Sequence, residues 1–143
     1  MSRPAPRGRD AYRWQMTIAT RWADNDAYGH VNNTVYYEWF DTAVNNWLIQ
    51  AGLLDVDGGD PIGLVVETGC TFIGPLSFPG DVEVGLAVER LGTSSVTYRI
   101  GVFGAGSAEP AAQGRFTHVY VGRVGRRPVD LPEAWRTAPE RLQ

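Results

Sequence analysis

Residues 24–52 read DNDAYGHVNNTVYYEWFDTAVNNWLIQAG, and the fold turns on how this stretch divides. Its second part has a helical period. Val35, Tyr36, Trp39, Phe40, Ala43, Val44, Trp47 and Leu48 recur at spacings near 3.6. Glu38, Asp41, Thr42, Asn45 and Asn46 fall mostly between them. The pattern predicts a long helix with one apolar stripe. Asn32, Asn33 and Thr34 are placed to cap its start, and Gly52 to stop it. Four of the stripe residues are aromatic, so the helix is expected to pack deeply. Burying one such side chain is worth roughly 1.5–3 kcal/mol.

Outward from this helix the period becomes two. Upstream, Tyr12, Trp14, Met16, Ile18, Thr20 and Trp22 share one face of a predicted strand. Downstream, LDVDGGDPIG is a loop by composition. Four strand-like runs follow: IGLVVETGCTFI, DVEVGLAVERL, SSVTYRIGVF and AAQGRFTHVYVGRV. Gly92-Thr93 and residues 104–110 are natural hairpin turns, too short for parallel crossovers. DLPEAWRTAPERL reads as a short helix interrupted or ended before Pro139. One strand, a long helix and four turn-linked strands predict an α+β fold, an antiparallel sheet wrapped against one buried helix. Repeated βαβ units are absent, which argues against a Rossmann domain. Residues 1–10, MSRPAPRGRD, are expected to form a flexible tail, and residues 11–143 a single domain.

Composition excludes several function classes. The net charge is −3 and every cation is arginine, so no broad basic field is offered to nucleic acid. Arg123, Arg126 and Arg127 gather locally, as a solvated turn or a patch for a small anion. Cys70 is the single cysteine, which rules out an intrachain disulfide and a Cys-based zinc site. It sits in an apolar run and reads as a buried small hydrophobe rather than a nucleophile. Neither a signal peptide nor a membrane span is expected, and the cytoplasm is the default location. Asp55, Asp57 and Asp60 suggest a calcium loop. The spacing fails, because the sixth position lacks glycine and Val66 stands at the twelfth.

The acidic start, DNDAYGHVNN, admits four readings: a metal site, a phosphate cradle, a polar turn or a catalytic corner. Asp24, Asp26 and His30 would crowd three metal ligands into one loop, with only His118 as a further histidine. Two acids beside the loop would repel a phosphate, and no GxxxxGK[ST] is present. Either aspartate can hold a turn. The catalytic case is physically stronger. A helix start exposes unpaired N–H groups that stabilise a developing oxyanion. Gly29 permits close approach, and an upstream carboxylate can attack the carbonyl carbon or activate water on it.

RWADNDAYGHVNNTVYYEWFDTA resembles the strand end, catalytic loop and helix start of hotdog-fold acyl-CoA thioesterases, the 4-hydroxybenzoyl-CoA thioesterase-like superfamily. The agreement is with a D-x-D-x-x-G-H-V-N-N-x-x-Y pattern ending at Tyr36, and weaker strand patterns extend the similarity over about residues 12–137. The resemblance implies a hotdog fold, a curved antiparallel sheet wrapped around a long central helix. It implies hydrolysis of an acyl-CoA to a free acid and coenzyme A without a cofactor or metal. It also implies a homodimer or homotetramer, with active sites at the dimer interface.

The family's catalytic aspartate falls on Asp26, as nucleophile or general base. Its helix-start amides fall on Gly29, His30, Val31, Asn32 and Asn33. Asp24 becomes a supporting or turn carboxylate, and His30 shapes the loop. Asn33 stands where some relatives have histidine. Tyr36 and Trp39 line the acyl pocket or pack in the core. Another subgroup takes its carboxylate from the long helix, where Glu38 or Asp41 stands. Arg90, Arg115, Arg123, Arg126 and Arg127 are candidates for the CoA phosphates. The competing readings are an acyl-ACP thioesterase, a non-catalytic acyl-CoA or acyl-ligand binding protein, and a dehydratase. A dehydratase would need a histidine paired with a carboxylate.

Overall fold

A computed structural model describes residues 5–143. The helix of the opening stretch, α1, spans Asn33–Gln50, and all eight residues of the predicted stripe are buried. Asn32 is its N-cap, its side chain accepting from the Thr34 N–H at 3.0 Å. The chain leaves through Ala51 and then Gly52, whose φ of 75° suits glycine.

Five antiparallel strands form one sheet: β1 (Trp14–Ala19), β2 (Ile62–Phe72), β3 (Asp81–Leu91), β4 (Ser95–Gly104) and β5 (Ala112–Val121). Their order is β1-β3-β4-β5-β2. The hairpin-linked strands β3, β4 and β5 are neighbours, as short turns demand. β1 and β2 lie at opposite edges, so residues 73–80 must carry the chain from one side of the sheet to the other.

The expectation of a sheet wrapped around the helix is corrected by this topology. The sheet is open, its edge strands do not pair with each other, and α1 covers one face. An 18-residue helix reaches the inner sides of β3, β4 and β5, but β2 stays exposed from Leu64 to Gly69. The fold is α+β, with a second helix, α2 (Glu133–Glu140). That helix runs through Pro139 instead of ending before it. The proline stands one residue from the end, so its missing N–H removes only a terminal hydrogen bond.

Strand alternation divides the sheet into two faces. Val82, Val84, Leu86, Val96, Tyr98, Ile100, Val102 and Phe116 meet α1. Phe40 lies on Gly114 of β5, where any Cβ would come within 2.4 Å of its ring. Tyr12 does not share a face with Trp14 as expected. A 3-10 turn at Arg9–Ala11 precedes it, and its ring packs on the opposite side with Ala87 and Phe103. Trp22 also leaves the predicted face; it starts a 3-10 turn and is 81% exposed. The expected tail falls partly on residues 1–4, outside the described residues. In the remainder, Gln113 accepts from Arg7 N–H at 3.1 Å and donates to the Ala5 carbonyl at 3.0 Å.

His118 of β5 is buried on the helix side beside Phe116, Tyr98 and Tyr120, and its Nδ1 has no partner among the described residues. Burial pushes its pKa down to about 4. Between the ordinary value near 6.5 and about 4, the unfolded chain binds a proton that the folded chain refuses. Stability is therefore fully present above the upper value and falls with pH through this window, by roughly 3 kcal/mol. In His118→Phe, thermal melts across that range are expected to show a shallower decline than wild type. Parallel declines would show that His118 is not the source.

Candidate active site

The strand β1 ends and the chain enters a tight loop over residues 21–32. The two aspartates of DNDAYGHVNN have different fates. Asp24 is 1% exposed and accepts from Arg21 N–H and Nε–H at 2.7 and 2.9 Å. The same guanidinium reaches Glu38 on α1 at 3.3 Å, tying loop to helix. Asp24 is thus a structural carboxylate, fully engaged within the loop.

Asp26 is half-buried at the mouth of a groove. Its Oδ1 accepts from Tyr28 N–H at 2.8 Å and His30 N–H at 3.4 Å, while Oδ2 accepts nothing among the described residues. The backbone closes the turn around it, Asp26 N–H donating to the His30 carbonyl at 2.8 Å. Gly29 sits at φ 83°, the left-handed conformation this reversal requires. One carboxylate oxygen is therefore held and the other is free to face a ligand.

The amides of the helix start are mostly occupied. Gly29 N–H goes to the Asp26 carbonyl, Val31 N–H to the Leu76 carbonyl and Asn32 N–H to the Asp24 carbonyl, at 3.1, 2.8 and 2.8 Å. His30 and Thr34 donate to side-chain oxygens of Asp26 and Asn32. The Asn33 N–H, first in α1, finds no acceptor among the described residues. It carries the partial positive charge of the helix start with no local partner.

The groove holds about 370 Å³. Asp26, His30, Val31, Asn33 and Tyr36 form one wall, so the structure brings together five of the seven motif residues singled out between Asp26 and Tyr36. Tyr36 is buried against Trp39 and Phe72, and desolvation pushes its phenol up to about 12, so it stays protonated. Gly29 and Asn32 support the loop and the helix cap. Trp39 lies in the core. Asp41 is exposed and bonded to Asn45, and Glu38 is paired with Arg21, so neither helix carboxylate lines the groove. Burial lifts the Cys70 thiol to about 12, which leaves no thiolate for nucleophilic work at neutral pH.

The opposite wall, residues 72–76, was not legible in the sequence. It approaches through backbone and loop contacts that leave no periodic trace. Val31 N–H meets the Leu76 carbonyl, Ser77 Oγ donates to the Gly29 carbonyl at 2.8 Å, and Asn25 exchanges hydrogen bonds with Phe78. None of the five candidate arginines lines the groove. Arg90 is exposed on β3, and Arg115 pairs with Glu67 and Glu89. Arg123 braces the Val56 and Gly59 carbonyls. Arg126 turns the chain at φ 55°, and exposed Arg127 follows it.

A family model described as the thioesterase-like superfamily matches residues 20–138. No curated protein matches the chain. Among solved structures, the PA5185 protein of Pseudomonas aeruginosa strain PAO1 is 50% identical over 97% of both chains, with a TM-score of 0.93. The PA2801 protein of Pseudomonas aeruginosa, described as a candidate thioesterase, is 30% identical over 87% of this chain and 95% of its own, with a TM-score of 0.79. A 1,4-dihydroxy-2-naphthoyl-CoA thioesterase from Synechocystis shares the fold at 22% identity, over 87% of this chain and 93% of its own, with a TM-score of 0.78. With most of its length matched by one family model and half its residues identical to a structure of the same architecture, the chain belongs to the hotdog-fold thioesterase-like superfamily.

Proposed function

We propose that this protein is an acyl-CoA thioesterase. The observation that carries the reading is a free carboxylate oxygen and a free helix-start N–H on one groove: Asp26 Oδ2 and the amide of Asn33. The thioester carbonyl oxygen accepts from the Asn33 N–H, which strengthens as negative charge develops there. Asp26 attacks the carbonyl carbon to give a mixed anhydride, or takes a proton from a water that attacks it. Either way the C–S bond breaks, the thiol leaves with a proton, and water supplies the oxygen of the released acid. The relative described as a candidate thioesterase supports the reaction class, and the motif resemblance supports CoA as the thiol carrier.

The active unit is a homodimer formed through β2, with a dimer of dimers as its extension. β2 is a long edge strand with Leu64, Val65 and Val66 exposed at 38%, 46% and 60%. Such an apolar edge is a template for another strand. The residues 72–76 wall of the groove continues from the same strand. A second copy placed along it would deepen the groove. The soluble interior of the cell supplies acyl-CoA, and no helix among the described residues is long and apolar enough to cross a membrane.

Three measurements test this reading. In Asp26→Asn, thiol release across a panel of acyl-CoAs should drop at least 100-fold at unchanged melting temperature. Full activity in that variant sinks the assignment, and tight acyl-CoA binding without turnover in wild type favours a binding protein. Asn33→Pro deletes the amide at a helix position that tolerates proline, after an N-cap residue already at ψ 140°. It should lower kcat about 100- to 1,000-fold, whereas Asn33→Ala, which keeps the N–H, should retain most of it. Equal loss in both variants would assign the effect to the side chain. Finally, Leu64→Lys with Val66→Lys should yield monomers in light scattering and lose activity with the dimer. A monomeric wild type excludes the proposed interface.

A further inference from the structure

The face of the sheet away from α1 carries a second cavity, of about 380 Å³. It shares no lining residue with the Asp26 groove. Its walls come from β2, β5, β3 and β4 and from the N-terminal segment at Arg7. Three guanidinium groups line it, those of Arg7, Arg99 and Arg115, against two carboxylates, Glu67 and Glu89.

The charges are not matched one to one. Arg115 lies 3.6 Å from Glu67 and 3.2 Å from Glu89, so both acids are engaged by one arginine. Arg7 and Arg99 form no ion pair among the described residues. Arg99 donates from Nη2 to the Ala11 carbonyl at 3.0 Å and rests 5.7 Å from the centre of the Tyr12 ring. Its Nε is buried without an acceptor. Arg7 is held at the rim because the Gln113 side chain grips the backbone at the Ala5 carbonyl and at the N–H of Arg7 itself. The floor is open at Gly69, where an added Cβ would meet nothing within 4 Å.

We propose that this cavity binds a small oxyanion, a carboxylate- or phosphate-bearing molecule, between Arg7 and Arg99. Guanidinium forks match the paired oxygens of both groups, and a concave site screens the attraction less than open water does. The volume fits a ligand of modest size. Glu67 and Glu89 limit the total negative charge that the site accepts. The inference stands apart from the chemistry proposed for Asp26, since it uses other residues on the other face of the sheet, although residues 67–71 of β2 line this cavity on the strand proposed to pair with a second copy.

The test is calorimetric titration of the intact protein at low ionic strength with inorganic phosphate and, separately, succinate, with chloride as the reference anion. Saturable binding of at least one is expected, and the stronger of the two identifies the ligand class. Arg7→Gln, an exposed change that leaves the core untouched, should weaken it at least 10-fold, and Arg99→Gln likewise. Glu67→Gln should tighten it several-fold, because it removes a negative charge and releases Nη1 of Arg115, whose Nε stays on Glu89. This gain cannot arise from misfolding. Absence of saturable binding, or affinities unchanged in both Arg7→Gln and Glu67→Gln, overturns the proposal. So does a change of oligomeric state in those variants without oxyanion binding, which would make the cavity a subunit contact.

Discussion

The seat of Phe40 on Gly114 fixes the relation between helix and sheet. A side chain at position 114 would meet the Phe40 ring at 2.4 Å and the Gly69 carbonyl at 2.8 Å, so only glycine lets the ring down onto β5. One turn earlier, Tyr36 reaches Phe72 of β2 at a centroid distance of 5.1 Å. The two aromatic residues share one helix face by their spacing of four. Together they set both the depth and the direction of α1. The first turn of the helix, with Asn33 at its start, therefore arrives beside the end of β2, where the groove opens.

The acidic loop that leads into this helix is ordered by charge rather than by apolar burial. Burying the Asp24 carboxylate is tolerable because the backbone and guanidinium of Arg21 satisfy it. Its carbonyl then takes the Asn32 N–H. Removing Arg21 would leave a buried acid without its main partner, the costly half of a broken pair. Asp26 has the opposite environment. It is solvated on one side, held on one oxygen, and placed by contacts that do not consume the other. The same residue type is thus fully engaged at Asp24 and keeps one oxygen free at Asp26, two positions on, and the difference lies in which donors each one meets.

Much of this was legible in the chain. The stripe from Val35 to Leu48 marked the buried helix face residue by residue, because a periodic apolar face is a local property. The strand runs and hairpin turns were local as well. What escaped was set by distant partners. Tyr12 looks like a member of the β1 alternation, but the 3-10 turn before it sends its ring to the other face. Trp22 fits the same alternation, yet the strand has already ended. The wrapped sheet was expected from the order of elements as well as from the resemblance, whereas the strand order leaves both edges open. Of the groove, the wall bearing Asp26, Asn33 and Tyr36 could be named from one continuous motif. The wall at residues 72–76 depends on the crossing of a loop between sheet edges, which no short-range pattern encodes.

The exposed edge and the half-open groove have one origin. β2 follows a long helix and a loop, and joins the sheet only through β5. Covering its other side would require either another strand of the same chain or a longer helix, and the described chain supplies neither. A monomer that kept such an edge in water would carry exposed Leu64, Val65 and Val66 along a run of open backbone groups. The groove beside the end of that strand would stay shallow and wet, and the attraction between the Asn33 amide and a substrate carbonyl would be diluted by solvent. The pairing of β2 with a second copy proposed above would address both problems at once, because a strand that hid the apolar edge would also exclude water from the groove. Under the proposed function, assembly and the strength of the oxyanion contact would both follow from the same unpaired strand.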